Sequence, residues 1–156
     1  MTRIDFYILN EPHENADAIM ACRLAEKAFS LKHQVYIHTR SAEHTEKIDN
    51  LLWTFREGSF LPHQPFTSAN ILPGNMSAEH LQYPVLIGHT PELDTAMETQ
   101  HQVLINLTEQ IPMFFSRFER VTEIVPANES SRHQARERYR FYQDRGYELK
   151  THNLSK

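Results

Sequence analysis

Five short runs rich in Val, Ile, Leu and Tyr constrain this 156-residue chain more than any other feature. They are Ile4–Leu9, Gln34–His38, Val85–Gly88, Val103–Leu107 and Val121–Val125, each four to six residues long. Length and β-branched content make them strands rather than helices. None approaches the ~18 to 20 apolar residues a membrane-spanning helix needs. The last run alternates as VTEIV, which predicts a strand with one wet face.

The stretches between the strands are partly helical. Ala18, Cys22, Ala25 and Phe29 recur at spacings of four, three and four, which places a helix over about Ala16 to Leu31. Ser41 is a candidate N-cap for a second helix running to about Phe55, with Ile48, Leu52 and Phe55 on its buried stripe. A short helix is expected over Met113–Phe118. Asn128 or Ser130 can cap a last helix over roughly Glu129–Arg145, with Gly146 as its stop. Residues 56–84 hold four of the eight prolines and form a long irregular loop. The expected fold is therefore α/β. It is a single domain over residues 1–150, an open, mostly parallel (mixed) sheet with helices on both faces, followed by a tail over 151–156.

A sheet of this kind invites a nucleotide, yet the phosphate loops are missing. The first strand-to-helix junction reads LNEPHENAD, with no glycine and two glutamates that would repel a pyrophosphate. No GxxxxGK[ST] occurs, and only glycines 58, 74, 88 and 146 are available. The fold is thus Rossmann-like without a dinucleotide-binding loop. Ten histidines give no HxH or HxxxH pair with a matching carboxylate, so no metal site is expected. The one cysteine, Cys22, falls on an apolar stripe and reads as a small buried hydrophobe. No GxSxG elbow is present. No catalytic residue and no cofactor are expected. The first ten residues carry Asp5 inside their only apolar run, which argues against a secretory signal and for a cytoplasmic protein.

Charge is distributed unevenly. Residues 1–128 hold 9 Lys and Arg against 16 Asp and Glu, whereas residues 129–156 hold 7 against 4. An acidic body with a basic end argues against strong direct DNA binding and for one local anion site. On the last helix Arg132, Arg136 and Arg140 fall at about 0°, 40° and 80°, with Tyr139 at about −20°. Like charges at that spacing cost a few tenths of a kcal/mol per pair, about as much as a favourable pair contributes. A cost of that kind without local compensation suggests an anionic partner, and three arginines suit a short acidic peptide better than a DNA backbone. A second surface is LLWTFREGSFLPH at 51–63, where Trp53, Phe60 and Leu61 lead into the proline-rich loop.

These segments also carry a resemblance. DFYIL (5–9), ACRLAEKAF (21–29), VYIHT (35–39), LLWTF (51–55), SFLPH (59–63), VLIN (103–106), FFSRFERVTEIV (114–125) and ARERYRFYQDRGYEL (135–149) together resemble the chi-subunit family of bacterial DNA polymerase III holoenzyme. The resemblance implies a replication adaptor with no activity of its own, an accessory subunit of a DNA-directed DNA polymerase, a nucleotidyltransferase. Implied partners are the psi subunit, in a heterodimer that ties chi to the clamp loader, and the acidic C-terminal tail of single-stranded DNA-binding protein. Implied psi-facing residues are Trp53, Phe60, Leu61, Pro62 and His63. The implied tail site comprises Arg132, Arg136, Tyr139 and Arg140, bordered by Val125, Gly146 and Tyr147. The alternative, on fold analogy alone, is a small nucleotide- or metal-dependent enzyme.

Overall fold

The computed structural model describes residues 2–10, 15–54, 63–65, 85–89 and 102–154, with the backbone alone at 53, 63–65 and 154. Among the described residues seven strands form one sheet: β1 Arg3–Leu9, β2 Val35–His38, β3 His63–Pro65, β4 Val85–Gly88, β5 Val103–Asn106, β6 Arg120–Val125 and β7 Glu148–Leu154. Their order is β3-β4-β2-β5-β6-β1-β7. All six pairings among the described residues are parallel, so the sheet they form is parallel rather than mixed.

Three α-helices are described: α1 Ala16–Ser30, α2 Ala42–Thr54 and α3 Glu129–Asp144. A 3₁₀ turn, Phe115–Arg117, takes the place of the short helix. α1 and α2 share one face of the sheet. Ala18, Ala21, Cys22 and Ala25 of α1, with Ile48 and Leu52 of α2, pack on Val35, Ile37, Val85, Ile87, Val103 and Ile105. Small residues along α1 let that helix lie close to the strands. α3 and the 3₁₀ turn cover the other face, where Ala135, Tyr142, Phe115 and Phe118 meet Ile4, Phe6, Leu104 and Val121.

Local chemistry sets the helix ends. The Asn128 side chain accepts a hydrogen bond from the Ser131 amide at 2.8 Å, so Asn128 rather than Ser130 is the cap of α3. Ser41 Oγ accepts from the His44 amide at 3.1 Å and starts α2. Gly146 has φ +81°, a left-handed conformation that a side chain would strain, and it turns the chain from α3 into β7.

Three expectations are corrected. β6 has no wet face at its centre: Thr122 and Glu123 are buried, because the strand lies between β5 and β1 with helices on both sides. The expected tail over 151–156 is strand as far as Leu154, seated beside β1. Within residues 56–84, expected to be irregular throughout, lies the short edge strand β3. Pro65 is tolerated there because an edge strand leaves one row of amides unpaired.

Candidate functional site: the outer flank of the last helix

α3 is fastened to the sheet by a buried polar cluster. Glu123 of β6 is fully buried and accepts from Arg138 Nε at 3.0 Å, Tyr142 hydroxyl at 2.7 Å and Asn106 Nδ2 at 3.0 Å. Arg138 Nη1 also donates to the Glu109 carbonyl at 3.0 Å. Burial pushes the Glu123 carboxyl above the ordinary glutamate range, opposed by the Arg138 charge and by the donors on Tyr142 and Asn106. Burial and the Glu123 charge push the Tyr142 hydroxyl up as well, so it stays a donor. The helix cannot rotate without breaking this set, and that fixes which side chains face outward.

On the flank so fixed stand Arg132, Arg136, Tyr139 and Arg140. Arg132 is half-buried, its Nη2 donates to the Leu9 carbonyl at the end of β1 at 3.2 Å, and its buried Nε has no hydrogen-bond partner among the described residues. Tyr139 is half-buried with its ring 5.4 Å from that of Phe6. Arg136 and Arg140 are exposed. The four residues expected to act together thus share one flank: an aromatic wall, one anchored guanidinium, and two exposed ones. Such a surface can hold carboxylates beside an apolar ring.

The border residues fare differently. Val125 is 1% exposed and belongs to the core beneath α3, so it supports the helix and presents no surface. Gly146 is exposed in the turn. Tyr147 is half-buried, its ring centroid 5.3 Å from that of Phe115 and 6.3 Å from that of Tyr142.

For the second surface, Trp53 lies in the last turn of α2 and His63 begins β3. The Trp53 side chain and all of Phe60, Leu61 and Pro62 lie outside the described residues, as does Phe55. The backbone nonetheless fixes an important relation. α2 packs on β3 and β4 at one edge of the sheet, and α3 packs on β6 and β7 at the other. Six strand spacings of ~4.8 Å separate the two edges, roughly 29 Å. The two helices also lie on opposite faces.

A cleft of about 430 Å³ opens at the carboxyl ends of β2, β4 and β5, lined by His38, Thr39, Arg40, His89, Glu109 and their neighbours. Ligands of open α/β sheets bind at such a place. Here the Arg40 guanidinium is engaged by Glu109 at 3.0 Å and Asp17 at 3.9 Å, and so lacks the free charge a phosphate site requires. Among the described residues no group of three or more His, Cys, Asp or Glu could hold a metal ion. Cys22 is buried, and burial pushes its thiol up to about 12, well away from thiolate chemistry at neutral pH. No helix among the described residues is long and apolar enough to cross a membrane.

The fold matches solved structures, two of them at 8% and 10% identity. T4 UvsW matches with TM-score 0.69 and 8% identity over 98% of this chain and 41% of its own, so the chain spans less than half of it. Domain 2 of the Mss116p DEAD-box helicase matches with TM-score 0.66 and 10% identity over 98% of this chain and 64% of its own. Sequence relatives are more telling. The DNA polymerase III subunit chi of Pseudomonas aeruginosa is 36% identical over 99% of this chain and 98% of its own. That of Haemophilus influenzae is 32% identical over 96% and 95%, and that of Escherichia coli K12 24% identical over 97% of each. The family model described as DNA polymerase III chi subunit, HolC, matches residues 1–150, and with these relatives it shows that the chain belongs to the chi-subunit family of DNA polymerase III, a replication accessory family.

Proposed function

We propose that the chain is a non-catalytic bridge. One surface, built on Trp53, Phe60, Leu61, Pro62 and His63, binds the psi subunit and so reaches the clamp loader. The other, the Arg132–Arg136–Tyr139–Arg140 flank of α3, takes the acidic C-terminal tail of single-stranded DNA-binding protein. The observation that carries this reading is the separation of α2 and α3 on opposite edges and faces of one rigid sheet. Two partners can then be held at once without competing. Membership of the chi family supports it further, as does the Arg132 Nε, which has no partner among the described residues.

Arg136 is the residue to test, because it is exposed, central in the stripe and free of the core. Arg136→Ala is expected to weaken binding of a tail peptide by about 1.5–3 kcal/mol, the range for hydrogen bonds to charged groups. Wild-type affinity should also fall from low to physiological salt, through screening of exposed charges. Calorimetric titration of both proteins at two salt concentrations measures both effects. Four equal affinities would leave the stripe a solvated helix face. Phe60→Ala is expected to cost about 2 kcal/mol of psi affinity, as truncated interface anchors do, without changing tail binding. Unaltered co-purification with psi would remove Phe60 from that surface.

A further inference from the structure

α1 covers its face of the sheet over β2, β5 and β6, and the same face of β1 and β7 carries a different population of side chains. The register places Arg3 beside Arg120 and Glu148, Asp5 beside Lys150, and Tyr7 beside His152. Residues paired in register point to one face. At the centre is Asp5, 2% exposed, with Arg3 Nε and Arg120 Nε each 3.5 Å from Oδ2 and His152 Nε2 3.2 Å from Oδ1. Two guanidiniums facing one carboxylate leave positive charge over. The Arg3, Arg120 and His152 side chains are still 36%, 42% and 32% exposed, and Lys150 is exposed outright. Glu148 is the one further acid on this face of the three strands. Beside the cations the Tyr7 and His152 rings lie stacked, centroids 4.3 Å apart and planes within 11°.

We infer that this face of β1 and β7, with Arg120 at the start of β6, is a weak binding platform for single-stranded nucleic acid. A base extends the Tyr7–His152 stack, while Arg3, Arg120 and Lys150 hold the flanking phosphates. An aromatic surface set among cations on an open sheet is the arrangement such strands need, since every base has a π-face and every linkage a charge. From Arg3 to Tyr7 the platform runs ~13 Å, and it is ~10 Å wide only at its Arg3 end, where Arg120 adds a third strand, room for only a short segment. An acidic peptide would meet the same cations but has no general use for the stacked rings. The platform stands apart from the α3 flank, on the opposite face of the sheet, and does not depend on that reading.

The experiment is fluorescence anisotropy of a labelled oligo(dT) titrated with the full chain. Saturable binding is expected. Three neutralised phosphates predict a loss on the order of tenfold for a fourfold rise in salt. Tyr7→Leu, which keeps an apolar side chain, is expected to weaken binding about fivefold or more, the low end of base–aromatic stacking. Lys150→Glu should weaken it comparably, and thermal melts of both variants check that they fold. Arg136→Ala should leave it unchanged. Absence of saturable binding, or variants at Tyr7 and Lys150 that fold and bind as wild type, would overturn the platform. So would an equal loss in Arg136→Ala, which would move the contact to α3. An oligoglutamate peptide that displaces the oligonucleotide at equal concentration would make the face an acidic-peptide surface instead.

Discussion

Arg138→Ala is expected to lower the unfolding free energy by about 3–5 kcal/mol, the cost of removing one member of a buried ion pair. Its guanidinium is 6% exposed and meets a carboxylate that water does not reach, so truncation strands the Glu123 charge. The loss exceeds the pair's net contribution, because it includes the desolvation penalty of the partner left behind. Replacing both members separates the two quantities. Glu123→Gln with Arg138→Met keeps an acceptor for the Tyr142 hydroxyl and removes both charges, and it should be clearly less destabilised than Arg138→Ala. Urea unfolding of wild type and the two variants measures this. A loss under about 1 kcal/mol for Arg138→Ala, the size of an exposed pair, would mean that the cluster does not fasten α3.

That cluster also shows where a single sequence stops being legible. Apolar runs and helix spacing led directly to strands β1, β2, β4, β5 and β6 and to all three described helices, because those signals are local. Burial of Glu123 is not local. VTEIV alternates like a half-exposed strand, and only the position of β6 between β5 and β1 closes its second face. Arg138 was separable from the Arg132–Arg136–Arg140 stripe by angle, but nothing in the sequence announced that a carboxylate would meet it. β7 is illegible for the opposite reason. ELKTHNL is an edge strand, polar along most of its length, and its pairing is specified by β1 rather than by its own hydrophobicity. Of the candidate tail site, four residues on one flank followed from 100° per residue. Val125 did not, since helical and strand periodicity cannot tell a residue lining a surface from one directly beneath it.

Acid should destabilise the protein through His38, by about 3 kcal/mol between pH 6.5 and pH 4. The residue ends β2, is 8% exposed, and has its ring edge-on to Phe114 with centroids 5.3 Å apart. Its Nδ1 is buried without a hydrogen-bond partner among the described residues. Burial, and secondarily the neighbouring His89 charge, lower it from 6.5 to about 4. The folded protein therefore keeps this imidazole neutral over a range in which the unfolded chain takes up a proton. Stability contributed by the neutral ring is complete above pH 6.5, declines as pH falls through the window, and falls no further below about pH 4. His44, also lowered by burial, acts in the same direction, whereas the raised Glu123 acts in the opposite one. The difference between wild type and His38→Phe cancels both. Phe keeps the edge-on ring contact and cannot titrate, so the wild-type curve should fall more steeply than the variant's, by up to ~1.4 kcal/mol per pH unit. Urea unfolding at half-unit pH steps from 7 to 4 measures the two slopes. Parallel curves would mean that His38 is either charged in the folded state or reached by water, and the loss at low pH would then belong to other groups.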